Sequence, residues 1–201
     1  MAKYHMTKRK LSAQATKNII YESALNLFRL RGYDAVTVED ITQKANVAKG
    51  TFYTYFKSKD AVLTYAFKEI DIFYKEAINA AGENISAGEQ FIILGNTMCK
   101  YVSESFGINF TKIVYQNQIS LGKKTMILNN RGRELFKILM KIAKKGHKTG
   151  EFNSNLTDEE IVLLLARSLY ALLYDWCLYD GNFNLIKEGK KYFKLILSIV
   201  R

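Results

Sequence analysis

The sequence predicts an all-α fold of about nine helices, on three observations. Proline is absent from the 201 residues, so no ring removes a backbone donor inside a helix. Apolar residues recur at three- and four-residue intervals along most of the chain. Hydroxyl-x-x-acid tetrads stand where such segments begin, and glycines where several of them end. Alternation of the strand kind, bounded by turn residues, nowhere runs for long. The chain is long enough to bury a sizeable core without metal or disulfide. The spacing divides it into residues 1–57, a connecting helix over 58–80, and a larger helical part over 81–201.

Taken in order, the first helix covers about Ser12 to Arg31, with Ile19, Ile20, Ala24, Leu27, Phe28 and Leu30 at helical spacing and Gly32 as its left-handed stop. Thr37-Val38-Glu39-Asp40 is a capping box that opens a second helix, through Ile41 to Ala45. Asn46-Val47-Ala48 then makes a tight turn into a short third helix, Lys49 to Tyr55, and Ser58 caps a fourth, Lys59 to about Ala80. Ser86 to Glu89 is another capping box, opening a helix to about Ser105. Residues 109–121 and 130–148 read as two more helices. Thr157 to Glu160 caps the longest apolar helix, Ile161 to Tyr179, and Asn184 to Val200 closes the chain.

Charge narrows the function. The formal net charge is +11, with +6 in residues 1–60 and +5 in the other 141, so positive charge is more than twice as dense at the N-terminus. That is the electrostatic footprint of a surface that meets phosphate. No stretch of about eighteen apolar residues runs without charge, and no apolar leader opens the chain, so a soluble, cytoplasmic protein without a membrane partner is expected. Cys99 and Cys177 sit far apart in apolar helical patterns, where free thiols behave as small hydrophobes. With two histidines and no Cys/His cluster, no metal or other cofactor is expected. His5 falls in the N-terminal tail, and His147 reads as a solvated charge near a helix C-terminus. Leu121-Gly122-Lys123-Lys124-Thr125 is the nearest approach to a phosphate loop. It lacks the upstream glycine and the hydroxyl after the first lysine, and it follows a helix, which argues against an enzyme.

Residues 37–55 supply a short helix, a tight turn and a second short helix, the parts of a helix-turn-helix. Val38, Ile41, Ala45, Val47 and Phe52 have the spacing to bury one face of the pair. Lys49, Thr51, Thr54 and Tyr55 are left outward, able to donate hydrogen bonds or to touch a thymine methyl. Gly50 permits close approach of backbone to DNA. The segment Gly32-Tyr33-x-x-Val36-Thr37-Val38-x-x-Ile41, followed by Ala48-Lys49-Gly50-Thr51-Phe52-Tyr53-Thr54-Tyr55-Phe56-x-Ser58-Lys59, resembles the signature of TetR/AcrR regulators over about residues 12–66.

The resemblance implies a nine-helix homodimer, a repressor released from a double-stranded DNA operator when a small-molecule effector binds its C-terminal domain. It places Thr37 on a phosphate, Lys49, Thr51, Thr54 and Tyr55 near base edges, and Tyr53 and Lys59 on backbone phosphates. Alternatively, Tyr53 or Tyr55 packs inside the domain. The basic run Lys3, Lys8, Arg9, Lys10 precedes the first helix and either reaches along the DNA or is a solvated tail.

The helix from Ile161 to Tyr179 is apolar nearly all round, which calls for core on one side and a subunit partner on the other. The last helix repeats the theme with Tyr192, Phe193, Leu195, Ile196, Ile199 and Val200, and the resemblance also puts dimerisation on these two helices. Pocket candidates are Met98, Tyr101, Phe106, Tyr115, Gln118, Tyr170, Tyr174, Trp176 and Cys177. Most of them belong to ordinary core, because cores and pockets draw on the same residue types; the abundance of aromatics favours a lipophilic or aromatic effector. The alternative is a DNA-bound regulator or structural protein of the same fold that answers to a protein partner.

Overall fold

Each helix expected from a capping tetrad is present and starts where its tetrad stands. A computed structural model describes residues 8–82, 84–121, 128 and 130–201, with the side chains of 8–11 and 121 left out. The described residues form nine α-helices and one π-helical turn: α1 Lys8–Arg31, α2 Val38–Lys44, α3 Lys49–Tyr55, α4 Lys59–Ala81, α5 Ala87–Tyr101, the π turn Val102–Phe106, α6 Gly107–Leu121, α7 Glu134–Thr149, α8 Asp158–Leu178 and α9 Leu185–Val200. Lys3, His5 and the glycine-lysine segment 122–125 lie outside the described residues, as do the side chains of Lys8, Arg9 and Lys10.

Thr37, Ser86 and Thr157 close reciprocal capping boxes with Asp40, Glu89 and Glu160. Each box satisfies two backbone donors that a helix start would otherwise leave open. Gly32, at φ 80°, ends α1 in the left-handed region, and Asn46, at φ 52°, turns the chain between α2 and α3. Asparagine tolerates that region better than most residues, which makes a three-residue turn feasible there.

The chain divides into two compact units, Met1–Tyr65 and Ala66–Arg201, and the division falls inside α4. The first unit is built on Ile20, Ala24 and Phe28 of α1, Ile41 of α2 and Phe52 of α3, all fully buried. Phe56 and Tyr65 meet edge to face with ring centres 5.6 Å apart.

In the second unit α5 packs against α9, and α7 and α6 pack against α8. The α5–α9 crossing is close because Gly95 lies under the Phe193 ring and Gly189 beside the Cys99 sulfur. Burial pushes the Cys99 thiol up to about 12, in keeping with a thiol that acts as packing. The expected helix from Ser86 to about Ser105 is α5 followed by the π turn. Gly107, at φ 72°, breaks the right-handed geometry and lets α6 start two residues earlier than the spacing indicated.

By length and composition α8 could cross a membrane, which the count of uninterrupted apolar residues did not register. One face of it, Ile161, Leu165, Leu169, Leu172 and Trp176, is core of this unit. His147 also differs from its expectation as a solvated charge: Nδ1 lies 2.6 Å from Asp158 Oδ1 and Nε2 3.3 Å from the Asn153 carbonyl. It ties the end of α7 to the start of α8.

A Cβ on Gly146 would overlap the Phe152 ring, which sits directly on the α7 backbone. Gly146→Ala is expected to cost about 1–3 kcal/mol by overpacking. Urea denaturation followed by circular dichroism measures it; unchanged stability would mean that Phe152 is free to move aside.

Candidate nucleic-acid interface and ligand cavity

The α2–α3 pair is held by Ile41 and Phe52, both fully buried, with Ala45 close behind and Val38 and Val47 half-buried. At the start of α2 the Thr37 hydroxyl accepts from the Asp40 amide at 3.1 Å and donates to Asp40 Oδ2 at 2.7 Å. The Thr37 N–H and hydroxyl, with Arg31 beyond, hold the Asp40 carboxyl below the usual carboxylate range. The Thr37 proton is therefore committed to the cap, and a phosphate arriving here meets the amides of the first turn.

On α3 the outward face carries Lys49, Gly50, Tyr53 and Thr54, with Thr51 and Tyr55 half-buried at its edges. Lys49 is ion-paired with Glu39 of α2, which raises the lysine pKa and lowers that of the glutamate. A Cβ built on Gly50 meets nothing within 4 Å, so the backbone is bare at that point of the face. The Thr54 hydroxyl donates to the Gly50 carbonyl at 3.0 Å. Tyr53 is 49% exposed, its ring edge-on to buried Phe52. Tyr53 is exposed and Tyr55 half-buried, so neither is fully packed inside the domain.

Lys59, which the resemblance puts on a backbone phosphate, also makes contacts within the fold. Its ammonium donates to the Tyr33 carbonyl at 2.6 Å and the Val36 carbonyl at 2.9 Å, and it sits 4.1 Å from the centre of the Tyr33 ring. Those contacts fasten the start of α4 to the loop after α1, so two of its three protons serve the fold. Tyr33 in turn donates to Asp60.

The pocket candidates scatter over the second unit. Met98, Phe106, Tyr115 and Tyr170 line one small cavity of about 30 Å³, with Phe67, Ile70 and Tyr74 of α4, Val102 of the π turn and Leu173 of α8. Tyr115, Tyr170 and Tyr174 line a separate open cleft of about 520 Å³ on the outer side of α8. The other four candidates line neither space. Tyr101 packs against Phe73 and Phe106, the Gln118 side-chain oxygen accepts from the Leu128 amide, Trp176 donates to the Phe183 carbonyl, and Cys177 is half-buried.

Sequence reasoning missed the charged pair at the cavity wall. Arg133, just before α7, grips Asp71 of α4 through two hydrogen bonds, Nη2 to Oδ1 at 2.6 Å and Nε to Oδ2 at 3.1 Å. Their side chains are 9% and 10% exposed, and the guanidinium carbon stands 4.8 Å from the centre of the Phe67 ring. Sixty-two positions separate the two residues. Asp71 lies on a helix whose neighbours read as an ordinary amphipathic pattern, so no local signal marks the pair. Among the described residues no group of three or more metal-ligating side chains comes together.

Lys59→Met is expected to remove about 1–3 kcal/mol of stability by leaving two carbonyls without a donor, while the salt dependence of DNA binding stays as in the unaltered protein. Urea titration and binding at three salt concentrations separate the two quantities. A flattened salt slope with unchanged stability would return Lys59 to the phosphate.

The sequence model of bacterial regulatory proteins of the tetR family matches residues 20–66, the segment that contains α2, α3 and their caps. The fatty acid metabolism regulator protein of Bacillus subtilis is 25% identical over 184 residues, covering 89% of this chain and 92% of the relative. Two solved structures share the fold. The Bacillus subtilis transcriptional regulator FadR in complex with stearoyl-CoA superposes with a TM-score of 0.76 at 21% identity, over 92% of this chain and 99% of the other. Thermus thermophilus FadR, a TetR-family transcriptional repressor in complex with lauroyl-CoA, gives 0.67 at 18% identity, over 90% and 93%. The helix-turn-helix geometry, the outward face of α3 and the match over residues 20–66 identify the N-terminal part of the chain as a DNA-binding domain of the tetR family.

Proposed function

We propose that the chain is a homodimeric, cytoplasmic repressor that holds a palindromic operator through α3 and leaves it when a lipophilic small molecule of the fatty-acyl class enters the second unit. The observation that carries the DNA half is the outward face of α3. It offers donors at Lys49, Thr51, Thr54 and Tyr55 for base edges, Tyr53 for a phosphate, and bare backbone at Gly50. Amides at the start of α2, behind Thr37, add a second phosphate contact.

A helix this short reads only a few bases, so two copies are needed, roughly 34 Å or a multiple apart along the duplex. A surface for the second copy is available. Tyr174 and Leu178 on α8, and Leu195 and Ile199 on α9, are large apolar side chains between 45% and 66% exposed. They follow i, i+4 spacing on each helix, as the seam of a four-helix bundle requires.

The effector half rests on the apolar cavity and on the two structural neighbours solved with acyl-CoA. At about 30 Å³ the cavity holds little more than a water-sized group, so a ligand must widen it. The π turn forms part of its wall, and turns of this kind yield more readily than continuous α-helix. Release then runs through α4, whose residues belong partly to each unit, provided that the ligand prefers one arrangement of the two reading heads. The nearly filled cavity favours a second reading, control by a protein partner with no small ligand.

Footprinting on genomic fragments is expected to protect a palindrome, and Lys49→Ala is expected to cost about 1–3 kcal/mol of operator affinity and to relax specificity at the bases it meets. Sedimentation showing a monomer that still binds one site tightly would overturn the dimer. Acyl compounds that bind without changing operator affinity would remove release by ligand and leave the protein-partner reading.

A further inference from the structure

A carboxylate stands on the surface that offers α3 to DNA. Of the two acidic side chains of α2, Asp40 is engaged by the Thr37 cap and by Arg31, whose Nη1 lies 3.2 Å from Oδ1. Glu39 meets the Lys49 ammonium instead, across the turn between α2 and α3. The Lys49 and Glu39 side chains are 54% and 61% exposed, so the pair faces outward with the rest of the reading face.

Both partners are ionised at neutral pH. The Lys49 ammonium, and after it the backbone amide of Glu39 itself, hold the carboxyl below its usual range, and Glu39 in turn raises the lysine. A pair this open to water holds a fold together only weakly. Its effect is felt where the surface meets a charged partner.

Any group on the duplex that takes Lys49 draws it from Glu39, and the outcome depends on what the carboxylate then meets. A phosphate takes the ammonium and leaves Glu39 beside a second anion. A base-pair edge satisfies both side chains if it sets acceptors and a donor side by side. In the major groove guanine presents two adjacent acceptors, N7 and O6, and the paired cytosine presents its N4 amino group next to them. Lysine donates to the first two, and glutamate accepts from the third. O6 and N4 are themselves hydrogen-bonded neighbours, so two side chains already in contact have the separation to meet them. An A·T pair sets its amino group between two single acceptors, with the thymine methyl beyond the second, and offers the lysine one acceptor where guanine offers two.

Resting on the DNA reading proposed above, we infer that Glu39 and Lys49 together read one G·C base pair in each half-site, Lys49 on the guanine and Glu39 on its cytosine. Glu39 is then a specificity-determining residue of the operator contact, contributed by α2 and not by the helix that lies in the groove.

The test selects bound duplexes from a randomised library with the full chain and with Glu39→Ala, Lys49→Ala and the double variant. The unaltered protein is expected to select a G·C pair at one position of each half-site, and to lose about tenfold in affinity when that pair is changed to A·T, the scale of one good side-chain contact to a base pair. Each single variant is expected to lose the preference at that same position and to keep the rest of the consensus. The double variant is expected to discriminate there no worse than either single one, as coupled residues do. Thermal unfolding followed by circular dichroism is expected to be alike in all four proteins, because the pair is exposed.

A consensus that Glu39→Ala leaves unchanged, with all duplexes bound more tightly or more weakly alike, would overturn the inference, since the carboxylate would then act through its charge alone. Loss of preference at different base pairs in the two single variants would overturn it as well. Both results spare the DNA reading. If the unaltered protein selects no consensus from the library, the DNA reading falls and the inference falls with it.

Discussion

Helix ends, more than helix interiors, organise this chain. Without proline or a disulfide, nothing covalent says where a helix begins, and a run of apolar residues at helical spacing can start a turn early or late at little cost. Reciprocal bonds between a hydroxyl and a carboxylate three residues on remove that freedom at Thr37, Ser86 and Thr157. Once those starts are fixed, the faces of α2, α5 and α8 are fixed too. Ile41 then meets the core of the reading unit, Gly95 meets Phe193, and Trp176 turns inward. A slip of one residue would rotate each face by about 100° and expose what is now buried.

This is also why so much of the molecule can be read from residues in order. Caps, glycine stops and apolar spacing are local signals, and they mark α2, α3, α8 and α9 to within a few residues. The outward face of α3 follows from the same spacing. What could not be read was non-local. The contacts of Lys59 within the fold are one example, because its acceptors, the carbonyls of Tyr33 and Val36, are more than twenty positions upstream and have no side-chain signature. Arg133 looked like an ordinary residue before a helix because Asp71 sits two helices away in the order of the second unit. Aromatic residues marked the cavity poorly for a different reason. Packing and binding draw on the same side chains, so only geometry separates Tyr170, which lines the cavity, from Tyr101, which does not.

The π turn between α5 and α6 illustrates a local rule set aside where a site is built. A continuous α-helix from Ala87 to Leu121 would satisfy spacing well, yet the chain widens its hydrogen-bond ring at Val102–Phe106 and passes through Gly107 in a left-handed conformation. Two of the residues in that interruption, Val102 and Phe106, face the cavity. An interruption of regular helix in the second unit therefore stands in the wall of its small apolar cavity.

The ion pair between Glu39 and Lys49 carries a consequence for selectivity. In the free protein this cation of the reading helix already has an anion, held on the preceding helix and exposed to solvent. On the proposed reading of α3, whatever part of the duplex takes Lys49 has first to displace Glu39, so each contact made by this lysine is an exchange of one acceptor for another and yields less than a free ammonium would.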